Sequence, residues 1–393
     1  MRSAHKILAQ DETRWSARRL LMRTPNSLAS ALAAAPRMSP VDGPPTTWQL
    51  PAILTEFELA AWLGISFGEL QWFADCQARE RRVAREPLRH YRYRWIRKRH
   101  KTARLIESPK PRLKALQRRV LHELLDRIPP HEAAHGFRAG RSVASFAAPH
   151  AGQRVVLKMD LQDFFTSVSS ARVTAIFATA GFPDRVARLL AGLCTNSVPP
   201  EVLDDYPFPE CAIPRWRMER PYRAPHLPQG APTSPALANL IAYRLDCRLT
   251  ALARAAGASY TRYADDLVFS GGHDFERSAR RFHIHAGAIA LEEGFQVNTR
   301  KTRIMRQSVR QRIAGLVVNQ HLNVARDEFD HLKATLHNCV RHGPESQNRQ
   351  SHADFRAHLT GRVAYAEMVH GERGKKLREL LARIEWQRSR SDG

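Results

Sequence analysis

Cysteine, acidic residues and long apolar runs are what this 393-residue chain has little of. Its five cysteines, Cys76, Cys194, Cys211, Cys247 and Cys339, are odd in number, scattered, and free of any CxxC pair. That excludes a small disulfide scaffold, gives no sign of a zinc ribbon or dithiol centre, and points to a reducing, cytoplasmic setting. No stretch approaches the roughly 18 apolar residues of a membrane span, so no membrane integration is expected. Ser27–Pro36 follows basic residues as a targeting signal would, but Asp11 and Glu12 precede it and the run is mostly alanine, which argues against cleavage. Acid is in deficit, 38 Asp and Glu against 62 Lys and Arg, for a formal charge of +24. With 43% apolar residues a packed core is expected. A surface this basic attracts polyanions through phosphate neutralisation and counterion release, nucleic acid before an anionic membrane.

Residues 1–50 mix Arg, Ala, Ser and Pro without sustained periodicity, predicting a short helix at Asp11–Met22 and a linker ending at Pro44–Pro45. From Leu54 to Ala78 apolar residues recur at helical spacing with a break at Gly64–Ser66, predicting two short helices. The octapeptide LAAWLGIS within them has a helix-turn-helix flavour, but no recognition helix follows, so a packing pair is the better reading. Between Arg81 and Arg119 sixteen lysines and arginines stand against Glu86 and Glu107. Tyr91, Tyr93 and Trp95 alternate there with Arg92 and Arg94, with Arg97 following, so a strand would separate rings from guanidinium groups and offer phosphate contacts with a stacking platform. Leu113–Leu125 reads as an amphipathic helix, and helices are expected again at Phe329–Val340 and Phe355–Met368.

The chemistry concentrates in two places. Val155–Met159 is a short apolar, β-branched run that delivers Asp160 at the tip of a predicted strand. A hundred residues on, Tyr263-Ala264-Asp265-Asp266 separates two β-rich runs, the pattern of a hairpin with paired carboxylates at its turn. Alone, such a pair is a solvated turn more often than a site. Next to a third carboxylate, in so basic a chain, it suits divalent cations that share their shell with substrate phosphates, Mg²⁺ above all, and a two-metal phosphoryl transfer.

The motifs together resemble the reverse transcriptases, and among them the bacterial retron type. Asp160 with Phe164-Phe165 is similar to polymerase motif A, Leu227-Pro228-Gln229-Gly230-Ala231-Pro232-Thr233-Ser234-Pro235 to motif B, and Tyr263-Ala264-Asp265-Asp266 to motif C. Gly294-Phe295-Gln296-Val297-Asn298 with Lys301-Thr302 resembles motif D, and Arg310–Asn319 the segment after it; the agreement runs from about Tyr91 to His370. The resemblance implies an α+β right-hand polymerase. Its divisions would be a basic extension over 1–50, N-terminal helices and basic fingers over 51–150, a mixed α/β palm over 151–319, and a helical thumb with a basic tail over 320–393. By the same resemblance Asp160, Asp265 and Asp266, with the Leu161 carbonyl, hold two Mg²⁺ ions. Gln229 and Gly230 approach the incoming dNTP, Phe165 excludes a ribose 2′-hydroxyl or is a core aromatic, and Arg104, with Lys101 and Lys114 near it, clamps the triphosphate. Lys301 is a general acid to pyrophosphate, a backbone-phosphate contact or a plain surface lysine.

The retron mark before motif A, Asn-Ala followed two residues later by His, is carried by Ala147 and His150, with Phe146 where the family has Asn. A second mark, Val-Thr-Gly, stands as Ile313-Ala314-Gly315. Each departure removes a polar side chain, and each bears on recognition of a structured RNA rather than on polymerase chemistry. RNA contacts are expected from Arg97, Lys98, Arg118, Arg141 and His150. The resemblance implies a cognate noncoding RNA as template and primer, an RNA–DNA hybrid, dNTPs, RNA-linked single-stranded DNA (msDNA) as product, a separate effector protein, no membrane, and a role in antiphage defence. A bacterial reverse transcriptase with another priming mode, or a non-catalytic RNA-binding protein on a polymerase scaffold, remain the alternatives.

Overall fold

The computed structural model describes residues 48–83, 86–98, 102–208 and 215–386. The expected helix at Asp11–Met22, the extension before Trp48, Lys101 and Cys211 lie outside them, as does the side chain of Lys98.

Both helices predicted over Leu54–Ala78 form, at Glu56–Leu63 and Phe67–Ala74, because each has its cap. Thr55 accepts from the Glu58 amide, Gly64 ends the first helix at φ +70, and Ser66 with Glu69 makes a reciprocal capping box for the second. Leu59, Leu63, Leu70 and Phe73 enter the core, as a packing pair should.

The basic segment forms an antiparallel ribbon of β1, Tyr91–Lys98, and β2, Thr102–Pro109. Its alternation is as expected but its aromatic face points inward. Gln117 Nε2 donates to the Tyr91 hydroxyl at 3.0 Å, Asn196 Nδ2 to the Tyr93 hydroxyl at 3.1 Å, and Trp95 Nε1 to the Val202 carbonyl at 3.2 Å. The stacking platform expected on these rings is corrected: they pack against the protein, leaving Arg92 and Arg94 to face solvent. Arg97, of the same parity as the rings, lies over Phe208 at 5.7 Å. The helix Pro111–Glu123 follows, with proline at its first position and Leu113, Leu116 and Val120 buried.

β3, Val155–Gln162, is the centre of an antiparallel sheet ordered β4 (Ala258–Tyr263), β5 (Asp266–Gly271), β3, β6 (Gln296–Val297), with β7 (Arg303–Arg306) also pairing with β3. Helices Ser170–Thr179, Asp184–Cys194, Ser234–Ile241, Tyr243–Ala255 and His273–Glu292 bury their apolar faces in the same core as the N-terminal helices and β3. This mixture of helices and antiparallel sheet is an α+β fold. A second core, built from Leu332, Leu336, Leu359, Val363 and Leu377, belongs to helices Arg326–His342, Phe355–Val369 and Gly371–Ala382. Among the described residues no helix is long and apolar enough to cross a membrane.

Candidate active site

Strand register brings the carboxylates together. Asp160 pairs with Asp266 across β3 and β5, and Tyr263 pairs with Asp266 across β4 and β5, so Ala264 and Asp265 form a two-residue hairpin loop. Ala264 is the loop residue with positive φ, at +54, the pattern of a type II′ turn, which ordinarily takes glycine there. The Leu161 amide donates to the Asp265 carbonyl at 2.8 Å and the Asn298 amide to the Asp160 carbonyl at 2.7 Å, stitching motifs A, C and D into one patch of backbone.

The three carboxylates carry unequal neighbours. Lys301 Nζ donates to both oxygens of the largely buried Asp160, at 2.9 and 2.8 Å, and Lys158 Nζ to Asp266 Oδ2 at 2.8 Å. Among the described residues no lysine bonds to Asp265. Burial first, then the charges of Asp266 and Asp160, push its carboxyl above the ordinary value. Burial raises Asp266 as well, against the pull of Lys158. Among the described residues no group of three or more His, Cys, Asp or Glu side chains is arranged to hold a metal ion as it stands. The donor set nevertheless fits one in kind. Three crowded carboxylates, one of them unneutralised and the other two held by ammonium groups, are hard oxygen ligands short of positive charge.

Behind the turn lies a buried assembly that the sequence did not announce. Arg262 is completely buried, and its guanidinium donates to both oxygens of Asp246, at 2.8 and 2.6 Å, to Asn239 Oδ1 at 3.0 Å and to the Ala264 carbonyl at 3.1 Å. Asn239 Nδ2 donates to the Gly136 carbonyl at 2.8 Å, and Tyr260 donates to Asp246 at 2.8 Å. Gly136 lies so near the turn that a Cβ there would stand 2.7 Å from the Ala264 nitrogen. The signal available beforehand was a charged residue at a strand position whose neighbours on either side are β-formers.

Of the expected substrate residues, Phe165 is half-buried against Phe164 at 5.5 Å and the exposed Phe137 at 6.1 Å. Gln229 and Gly230 sit on β2: the Glu107 amide donates to the Gln229 carbonyl at 2.9 Å, and a Cβ on Gly230 would meet the Glu107 carbonyl at 2.8 Å. The close approach that requires glycine here is thus to a strand backbone. Glu107, fully buried, also accepts from His226 Nε2 at 3.0 Å and Asn196 Nδ2 at 2.7 Å, which fixes that strand beneath the motif B loop. Arg104 is exposed on β2 and Lys114 on the helix after it.

Arg97, Arg118 and Arg141 are exposed, as an RNA contact needs. His150 is a correction. It is fully buried, its Nδ1 at 2.7 Å from Ser270 Oγ and its Nε2 at 2.7 Å from Thr261 Oγ1, on strands β5 and β4. Thr261 gives its own proton to the Phe146 carbonyl at 2.9 Å, so Nε2 is the protonated nitrogen and Nδ1 accepts from Ser270. Phe146 is likewise fully buried, in one apolar cluster with Val156, Val268, Ile313 and Leu316, against which Ala314 packs. Both departures from the retron marks therefore fall on a core that backs the sheet.

A model of the family described as "Reverse transcriptase (RNA-dependent DNA polymerase)" matches residues 96–330. The Retron Mx65 reverse transcriptase of Myxococcus xanthus is 43% identical over 84% of this chain and 71% of its own length. The chain belongs to the retron-type reverse transcriptases. A second Myxococcus xanthus relative of this reverse transcriptase, Retron Mx162 reverse transcriptase, is 37% identical over 84% of the chain and 68% of its own length. Retron Ec86 reverse transcriptase of Escherichia coli is 29% identical over 72% of the chain and 78% of its own length. As a reverse transcriptase the chain is an RNA-directed DNA polymerase with the right-hand polymerase fold.

Proposed function

We propose that this reverse transcriptase is the polymerase of a retron, copying part of a cognate noncoding RNA into RNA-linked single-stranded DNA by two-metal nucleotidyl transfer, in defence against phage. The observation that carries the reading is the meeting of Asp160 and Asp266, on neighbouring strands, with Asp265 in the turn beside them, in a chain 43% identical to one retron reverse transcriptase.

Asp160, Asp265, Asp266 and the Leu161 carbonyl are the residues to hold the ions, with Lys158 and Lys301 withdrawing from the carboxylates they neutralise. Bound there, two Mg²⁺ ions would favour ionisation of the attacking hydroxyl and neutralise charge on the leaving pyrophosphate. In each addition a primer hydroxyl oxygen bonds to the α-phosphorus of a dNTP while the bond from that phosphorus to the bridging oxygen breaks. The hydroxyl proton passes to water, and Lys301, released from Asp160, donates one to the departing pyrophosphate. Phe165 excludes a 2′-hydroxyl, Gln229 and Gly230 border the nucleotide, Arg104 holds its phosphates, and Arg97, Lys98, Arg118 and Arg141 contact RNA backbone. The helices after residue 320 act as the thumb on that RNA, and a separate effector protein completes the system.

The test is to purify the protein from cells carrying its native locus, treat copurifying nucleic acid with RNase or DNase, and sequence it beside an Asp265→Asn/Asp266→Asn control. Single-stranded DNA joined to one noncoding RNA, absent from the control, is the expected result. Copurifying RNA without linked DNA, from an enzyme that still extends a supplied primer on RNA, overturns the retron product and leaves the polymerase.

A further inference from the structure

Helices Arg326–His342 and Phe355–Val369 enclose, with the loop between them, a pocket of about 390 Å³. It is far from neutral. Among the described residues no carboxylate lines it, whereas Arg349 and Arg362 do, and neither guanidinium has an ion-pair partner there. Elsewhere the acids of these two helices do pair with arginines, Glu328 with Arg312 and Glu367 with Arg378.

The wall beside those cations is aromatic and ordered. His352 and His358 stack with centroids 3.9 Å apart and planes 16° from parallel. Phe355 lies within 13° of both, 6.3 Å from His352 and 6.1 Å from His358. Asn348 fixes the start of this array by accepting from the His352 amide at 2.8 Å and donating to the His352 carbonyl at 3.0 Å. Asn338, Gln347 and Gln350 add carboxamides to the lining, groups that both donate and accept. Parallel rings, free guanidinium groups and carboxamides in one acid-free concavity match the three parts of a nucleotide: base face, phosphate and base edge or ribose hydroxyl.

We propose that this pocket holds a single unpaired nucleotide of the RNA, its base extending the His352–His358 stack, its phosphate on Arg349 and Arg362, and its base edge or 2′-hydroxyl on the carboxamides. The occupant is RNA rather than DNA because the carboxamides can bond a 2′-hydroxyl that DNA lacks. The proposal rests on the reading of this chain as a polymerase that grips a folded RNA, and adds to it a site for one base outside the duplex.

Fluorescence anisotropy of the full-length protein with a labelled single-stranded r(CA) repeat tests it, together with the same repeat carrying abasic sugars and a d(CA) repeat. His358→Ala should weaken binding of the intact RNA roughly tenfold, the scale of one lost base stack. His358→Phe should restore it, since a ring is what the stack needs, and thermal melting of each variant separates lost stacking from lost folding. The abasic RNA should bind the wild type about as weakly as intact RNA binds His358→Ala. Equal binding of intact and abasic RNA by the wild type overturns the proposal, and so does a folded His358→Ala that binds the intact RNA like the wild type. A d(CA) repeat that binds as tightly, with equal sensitivity to His358→Ala, assigns the pocket to single-stranded DNA and overturns the RNA assignment. Primer extension by the wild type, read separately, decides the polymerase reading whichever way the pocket falls.

Discussion

The two sides of the motif C turn hold charge in opposite ways. In front, Lys301 and Lys158 neutralise Asp160 and Asp266 through long, partly exposed side chains, 61% exposed for Lys301 and 24% for Lys158. Behind, Arg262 and Asp246 are each 0% exposed, and every partner around them is a hydrogen-bonding group fixed in the core. An ammonium on a flexible stem can leave when a cation or phosphate arrives, at little cost. A buried guanidinium cannot leave without stranding Asp246. The front pairs are therefore exchangeable and belong to chemistry, while the back pair holds the Ala264 carbonyl, and with it the turn, in place.

The comparison breaks most visibly if a front carboxylate proves structural. Asp265→Asn should cost at least about a thousandfold in primer extension on an RNA template, a loss from the transition state rather than from folding. Its melting temperature should hold or rise, because the substitution removes a buried charge that Asp266 and Asp160 repel. A lowered melting temperature with retained extension would show that the carboxylate supports the fold and not the reaction.

At the back the expectation is reversed. Arg262→Ala leaves Asp246 buried without its counterion and should lose about 3–5 kcal/mol of stability, measured by urea unfolding. The paired change Arg262→Met with Asp246→Leu should recover most of it, since apolar side chains of similar volume avoid the desolvation penalty. If the turn depends on the Ala264 carbonyl bond, the recovered protein still extends primers poorly, with kcat reduced more than the KM for dNTP. Full activity in the double variant would remove Arg262 as a positioning residue.

His150 sharpens the comparison from the same buried side. Burial, then the charge of His135, holds its imidazole down at about 3 against 6.5 for the free side chain. The sign follows from proton binding: below 6.5 the unfolded chain takes up a proton that the folded chain refuses until about pH 3, so stability falls as pH falls across that window. By pH 5 this one group costs about 2 kcal/mol relative to neutral pH. His135, held at about 4 by burial, steepens the same limb. Melting temperature against pH should therefore slope downward on the acid side in wild type and flatten in His150→Gln. Unchanged slopes would show that the imidazole is not confined as the hydrogen bonds imply.

His150 also marks where reading the sequence stopped. The strand-borne Asp160, the hairpin of Asp265 and Asp266, and the capped helices near the N-terminus follow local rules: alternation, turn residues and capping spacings are written in consecutive residues. So they were legible. What Arg262, Asp246 and Asn239 do together was not, because their partnership spans a strand and two helices and exists only once these pack. Tyr91, Tyr93 and Trp95 gave the right period but not the face, since alternation defines two sides of a strand without saying which is inside. Resemblance alone assigns His150 to an RNA contact and ties the change at Phe146 to RNA recognition, whereas the structure puts both in the layer supporting β4 and β5.

The smallest effect is the most demanding test of the contrast. Lys158 stands two residues before Asp160 on β3, and Asp266 is its one ion-pair partner among the described residues. Lys158→Met keeps the length of the stem and removes the charge, so the packing of β3 is retained. A partly exposed pair of this kind contributes about 1 kcal/mol or less, and high salt screens it. Urea unfolding of Lys158→Met should thus differ from wild type by no more than that at low salt, with the difference shrinking as salt rises. A loss as large as that of Arg262→Ala, insensitive to salt, would place Lys158 with the buried side of the turn and erase the distinction between charge held for the fold and charge held for the reaction.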